Sequence, residues 1–212
     1  MRTRVAILIS GRGSNMDALV SAAAEPGYSA EIALVLSNRP EAPGLARAAA
    51  SGIATACVDH RRFGEDRAAH DAAVDAALRA HGAELACLAG YMRLLTPGFV
   101  AAWRGRMLNI HPSLLPAFPG LDTHRRALEA GVKLHGCTVH LVTEEMDSGP
   151  ILAQAAVPVL PGDTEEDLAA RVLAQEHRIY PFALRLYIEG GGEADPAAAL
   201  VNPALPGEER RW

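Results

Sequence analysis

At 212 residues, half hydrophobic and a fifth charged, the chain can bury a full core in one to two domains without disulfide or metal staples. Its formal net charge of −5 carries no basic excess, so nucleic acid is not an expected partner. Three scattered cysteines, Cys57, Cys87 and Cys137, form no CxxC pair, and the odd count argues against a disulfide framework and for the cytoplasm.

Residues 5–9, Val-Ala-Ile-Leu-Ile, predict a strand buried on both faces. Arg2 and Arg4 precede it, but the run is too short for a signal h-region, and no stretch reaches the ~18 apolar residues of a membrane span. Ser10, Gly11, Arg12, Gly13, Ser14 and Asn15 then turn into a helix with Met16, Leu19, Val20 and Ala23 on one face. Ser14 and Asp17 have capping-box spacing. Strand, Gly-rich turn and helix N-terminus together aim free N–H groups and the positive dipole end at an anion. Gly11 and Gly13 permit close approach, and Ser14 and Asn15 add donors. A tight βα turn capped by Ser14 uses the same residues, and neither a Walker lysine nor a full GxGxxG is present.

Residues 32–36 predict a second buried strand, 45–51 a short helix stopped by Gly52, and 54–58 a third strand. Residues 66–81 predict a helix presenting His70, Val74, Ala77 and Leu78 inward, and 85–89 a fourth strand. This alternation specifies an α/β fold, a Rossmann-like, doubly wound, mostly parallel sheet flanked by helices. Ligands in such sheets sit beyond the strand C-termini, where residues 11–15, 90–95 and His111 fall. Met92, Leu94 and Leu95 can line an apolar slot, with backbone groups of Arg93 and Leu95 free to pair with a flat heterocycle; a loop closing the sheet edge has the same composition.

In residues 107–111, Asn109 and His111 occupy alternate positions and so share a face of an extended strand. Pro112, Pro116 and Pro119 then impose an ordered loop. An amide and an imidazole at a strand mouth suit a catalytic edge, and suit turn formation equally. A helix is expected over 123–131. Residues 136–142 and 151–159 read as strands joined by an acidic turn, a hairpin or a longer excursion. Asp147 in that turn is ordinarily an Asx-type turn former, but paired with His111 it suits general acid–base work. Asp163 or Thr164 caps a helix to about Tyr180 that Pro181 ends or kinks, with Glu176 and His177 on its last turn, ordinarily a surface position. No repeat or linker divides the chain before Gly190. One domain over 1–190 is expected, halved near residue 100, with a loosely ordered tail over 191–212. No metal is expected: the histidines lack ligand spacing such as HExxH. Nor is there a GxSxG elbow.

Six motifs then occur in order: SGRGSN at 10–15, LSNR at 36–39, AGYMRLLTP at 89–97, LNIHPSLLPAFPGLDTH at 108–124, HGCTVHLVTEEMDSGPIL at 135–152 and QEHRIYP at 175–181. On these the chain resembles the phosphoribosylglycinamide formyltransferase family, folate-dependent enzymes of purine synthesis, from about Arg4 to Tyr187. Tyr91 stands where the family commonly has Phe, and a ring there still packs. The resemblance implies the formyltransferase fold, with a C-terminal antiparallel portion, and a nucleotide-binding half before a catalytic and folate half. Gly11, Arg12, Gly13, Ser14, Asn15 and Glu176 would hold glycinamide ribonucleotide. Arg67, Met92, Arg93, Leu94, Leu95, Asn109 and His140 would contact 10-formyltetrahydrofolate. Asn109, His111 and Asp147 would be catalytic: the amine attacks the formyl carbon directly, Asn109 and His111 stabilise the oxyanion, and Asp147 favours the imidazolium and assists proton transfer. Implied partners are these two small molecules, with no nucleic acid and no membrane, on a monomer or homodimer. A formyltetrahydrofolate hydrolase, a tRNA formyltransferase and a non-catalytic nucleotide- or folate-binding protein are the competing readings. The tRNA enzyme would be longer and carry a basic C-terminal domain.

Overall fold

The computed structural model describes residues 2–192 and the backbone of Leu200–Val201. It divides into two compact units, Met1–Asn109 with Val142–Glu144, and Ile110–Leu141 with Glu145–Trp212.

In the first unit, apolar β-rich runs form β1 (Thr3–Ile9), β2 (Ala30–Ser37), β3 (Thr55–Cys57), β4 (Leu85–Leu88) and β5 (Met107–His111), whose last two residues enter the second unit. They pair in parallel in the order β3-β2-β1-β4-β5, the doubly wound arrangement the alternation predicts. Val5, Ala6, Ile7, Leu8 and Ile9 are fully buried, as a central parallel strand requires. The helices are α1 (Ser14–Ala23), α2 (Pro43–Ala50), α3 (Arg67–Ala80) and α4 (Pro97–Ala102). Asp66 caps α3 by accepting from Ala69 N, and the helix buries His70, Val74 and Leu78 with Ala77 half-buried, as its periodicity specifies. Trp103, fully buried after α4, donates its indole N–H to Asp75 at 2.8 Å and stacks on Phe99.

Two local expectations differ. Gly13, not Ser14, is the N-cap of α1, left-handed at φ 74 with no side-chain cap, so the chain enters the helix through backbone that only glycine adopts cheaply. Sequence periodicity also passes over α4 and a 3-10 turn at His60–Phe63, both too short to repeat. Thr96 starts α4 by accepting from Phe99 N, with Pro97 as its first residue.

In the second unit, β6 (Leu134–Leu141) and β7 (Ile151–Pro158) pair antiparallel, with a register shift between Val139 and His140. Residues 142–150 are thus the excursion between paired strands. Also present are α5 (Thr123–Glu129), α6 (Glu165–Glu189) and β8 (Leu200–Val201), which pairs parallel to β7. Beyond Gly192 and apart from this strand, the tail over 191–212 lies outside the described residues. Thr164 and Asp167 form a full capping box at the start of α6. The helix does not end at Pro181 but runs on to Glu189. Ile179, Tyr180, Ala183, Leu184 and Tyr187 continue its buried stripe across the proline, and that packing outweighs one missing hydrogen bond. Glu176 is therefore mid-helix and only 7% exposed rather than on a surface turn.

Candidate active site

The glycine-rich turn forms one wall of a cavity of about 350 Å³ in the first unit, and Arg39, Ala89, Gly90 and Met92 form the other. The turn is held from below. Ser10 N donates to Gly90 O at 3.1 Å, and Gly44 N, in the first turn of α2, donates to Gly11 O at 3.2 Å. A Cβ on Gly44 would overlap Ile9 Cδ1 and lie 3.1 Å from Gly11 O, so α2 reaches the turn only because residue 44 has no side chain. Arg47 donates to the Arg12 carbonyl and pairs with Asp17 at 3.2 Å. Gly13, Ser14 and the buried Asn15 present the start of α1 to the cavity, a backbone-donor nest of the kind that holds phosphate.

The loop after β4 is bound to this turn and to α3. Met92 N donates to Ser10 Oγ at 2.7 Å, and Thr96 N to Asp71 Oδ2 at 2.7 Å. Arg67, the first residue of α3, donates to Leu94 O at 3.1 Å and Leu95 O at 3.4 Å, bringing together candidates nearly thirty residues apart. The expected apolar slot is not closed: Met92 and Leu94 are 66% and 63% exposed, because the backbone of the loop is anchored and these side chains are not. Tyr91 is buried, and burial raises its phenol well above the ordinary value.

In the second unit, His111 ends β5 with its ring buried. Its Nε2 donates to Phe118 O at 3.1 Å, and its Nδ1 faces Asp147 Oδ2 at 3.5 Å. Both ring nitrogens thus face acceptors. Asp147 stands at φ 55, a left-handed conformation that aspartate tolerates better than most residues. Its Oδ2 accepts from Gly120 N at 2.8 Å, and its side chain is 9% exposed. Its Oδ1 lies 3.9 Å from His140 Nε2, while His140 Nδ1 donates to Leu141 O at 2.9 Å. Burial pushes the His140 imidazole below its ordinary value, against the opposing pull of the Leu141 carbonyl and Asp147. A turn-former by sequence, Asp147 here carries a buried carboxylate against two imidazoles. Asn109, two residues before His111, is half-buried on β5.

Sequence reasoning overlooked the rings behind His111. His135 packs edge-on against Phe118 and His124, with centroids 5.8 and 5.3 Å apart. Burial, with His124 and His111 beside it, lowers its imidazole to about 4 despite the Pro112 carbonyl. His124 is shifted the same way, chiefly by burial. The unfolded chain takes up a proton near pH 6.5, while folded His135 resists to about 4. Below pH 6.5 the unfolded state therefore binds more protons. Stability is expected to be full above that pH and to fall by about 1–3 kcal/mol toward pH 4 from this ring. Unfolding temperatures at pH 7 and 4.5 check it: His135→Gln must show a smaller acid shift than the unsubstituted chain, and an equal shift refutes the assignment.

Among the described residues no group of three or more His, Cys, Asp or Glu side chains is arranged to hold a metal, and no helix is long and apolar enough to cross a membrane.

A family model described as formyl transferase matches residues 3–184. The phosphoribosylglycinamide formyltransferase of Escherichia coli (strain K12) is 45% identical over 198 residues, 93% of each chain. The trifunctional purine biosynthetic protein adenosine-3 of Gallus gallus is 48% identical over 94% of this chain, which spans only 20% of that longer relative. Among solved structures, phosphoribosylglycinamide formyltransferase from Brucella melitensis superposes with a TM-score of 0.84 at 61% identity, covering 88% of this chain and 96% of that one.

Proposed function

The chain belongs to the formyl transferase family, and from that premise we propose that it carries the formyl group of 10-formyltetrahydrofolate to the amine of glycinamide ribonucleotide, a step of purine synthesis. The observation that carries this reading is the buried Asp147 carboxylate, fixed by Gly120 N and facing His111 Nδ1 at 3.5 Å. In this reading residues 1–190 work as one formyltransferase domain, supported by a family match spanning 3–184. The folate supplies an electrophilic formyl carbon; the chain supplies position and charge.

Gly11, Arg12, Gly13, Ser14 and Asn15 hold the phosphate, and Glu176 accepts hydrogen bonds from the ribose or glycinamide. Arg67, Met92, Arg93, Leu94 and Leu95 contact the folate, with His140 and Asn109 nearer its reacting end. As the amine attacks, negative charge grows on the formyl oxygen, and the Asn109 amide and His111 Nε2–H are the donors for it; the oxygen takes the place of the Phe118 carbonyl on Nε2. Asp147 stabilises positive charge on the ring across 3.5 Å and passes the amine proton through ordered water to the leaving folate nitrogen. The bond from that nitrogen to the formyl carbon breaks as the oxyanion collapses to the new amide. No side chain serves as nucleophile, and holding both substrates in register supplies much of the acceleration. The three thiols, Cys57, Cys87 and Cys137, are free, in keeping with a cytoplasmic setting; the assembly is a monomer or homodimer.

The test is release of tetrahydrofolate followed by absorbance. Release is expected only when glycinamide ribonucleotide is added. Release without it makes the chain a hydrolase, and none with either makes it a binding protein.

A further inference from the structure

Beyond the glycine-rich turn, the first unit brings a second cation to the same cavity. β1 and β2 run in register to Ile9↔Ser37, so Ser10 and Gly11 leave β1 beside Asn38 and Arg39 leaving β2. Two buried anchors fix that exit. Ser37 Oγ, fully buried, accepts from Arg39 N at 3.0 Å and donates to Arg39 O at 2.9 Å, pinning the backbone of the arginine at both ends. Asn38, 1% exposed, accepts from Ser10 Oγ through Oδ1 at 2.6 Å, and its own carbonyl accepts from His60 Nδ1 at 2.8 Å. The backbone of Arg39 is thus tied to the turn it faces across the cavity.

Its side chain is not tied. Among the described residues no carboxylate or carbonyl partners the guanidinium of Arg39, nor that of Arg12, whereas Arg4, Arg47, Arg61, Arg67, Arg79, Arg125, Arg126, Arg171 and Arg185 all have partners. Both arginines line the cavity, and no acidic residue is among its lining. Backbone N–H groups of a turn can satisfy a monoanion. Two additional full positive charges in one small concavity suit a phosphate monoester dianion, for which a planar guanidinium is the best-matched side chain.

We propose that Arg39 is a binding residue for the phosphate monoester of the substrate, making the cavity selective for the phosphorylated sugar over the free one. The proposal rests on reading residues 10–15 as a phosphate site, but not on formyl transfer taking place. Its test is therefore direct binding, with ribose 5-phosphate and ribose as probes, by calorimetric titration of the full chain. Arg39→Gln is expected to weaken ribose 5-phosphate at pH 7.5 by about tenfold or more, the worth of a charge-assisted hydrogen bond. Any weak affinity for ribose should not move, and Arg39→Lys should restore part of the loss. Lowering the pH below the second phosphate ionisation, near 6, should weaken the unsubstituted protein and narrow the gap between it and Arg39→Gln. Equal affinities of the two for ribose 5-phosphate overturn the proposal. So does no binding of ribose 5-phosphate by the unsubstituted protein, or an equal loss for ribose, which marks a merely structural change. Failure of formyl transfer with ribose 5-phosphate binding and its Arg39 dependence intact would sink the functional reading alone.

Discussion

Asp147→Asn is expected to lower turnover by about 100-fold or more, with the affinity for glycinamide ribonucleotide changed less than threefold. The substitution keeps the shape of a side chain that is 9% exposed and keeps an oxygen to accept from Gly120 N, so the turn at φ 55 survives. What disappears is the negative charge 3.5 Å from His111 Nδ1. An amide oxygen still accepts a hydrogen bond there but no longer offsets a full positive charge in a buried setting, where such charge is costly. On the proposed mechanism, the donor for the growing oxyanion weakens and the carboxylate assigned to relay the amine proton is gone. Steady-state kinetics of the purified variant check this, alongside its nucleotide affinity. A kcat above about a tenth of the original would remove Asp147 from the chemistry.

Gly136→Ala is expected to be the most damaging single methyl group in the second unit, destabilising the fold by about 3 kcal/mol and lowering the unfolding temperature by roughly 6–12 °C. Gly136 pairs with Ala156 in the β6–β7 ladder. A Cβ there overlaps the Ala155 carbonyl oxygen and comes within 2.9 Å of Leu114 Cδ2. The leucine can change rotamer, but the carbonyl belongs to the paired strand and moves only if the ladder opens. Gly98→Ala, where a Cβ meets nothing within 4 Å, is the contrast: it fills open space within α4 and should be neutral or slightly stabilising. Thermal unfolding of the two variants side by side decides the point, and equal unfolding temperatures would refute it.

The central parallel strands β1 and β4 were legible because each is a run of apolar residues that has only one use, burial on both faces. The rule that ligands lie beyond strand C-termini then located the turn after β1 and the loop after β4. It also applied to the end of β2, where Arg39 stands, but an arginine after a strand carries no local signal; its setting comes from the register of β1 and β2 and from the lack of a carboxylate partner among the described residues. Helix ends were misjudged where tertiary packing overrides local chemistry, as at Pro181, which by itself predicts a stop. Asp147 reads as a turn former in sequence because its two imidazole neighbours are supplied by β5 and β6, and no spacing rule encodes that meeting. The edge-on rings of His124 and His135 were hidden for the same reason.

The carbonyl of Phe118 gives the His111 ring a resident occupant. Before any ligand arrives, the imidazole N–H already has a hydrogen bond inside the protein, so an incoming oxygen replaces one acceptor with another and strips little water from the ring. Phe118 stands at φ 53, a left-handed backbone that costs a bulky residue on the order of 1 kcal/mol. The acceptor on the ring is thus presented by a residue whose own backbone carries a small cost.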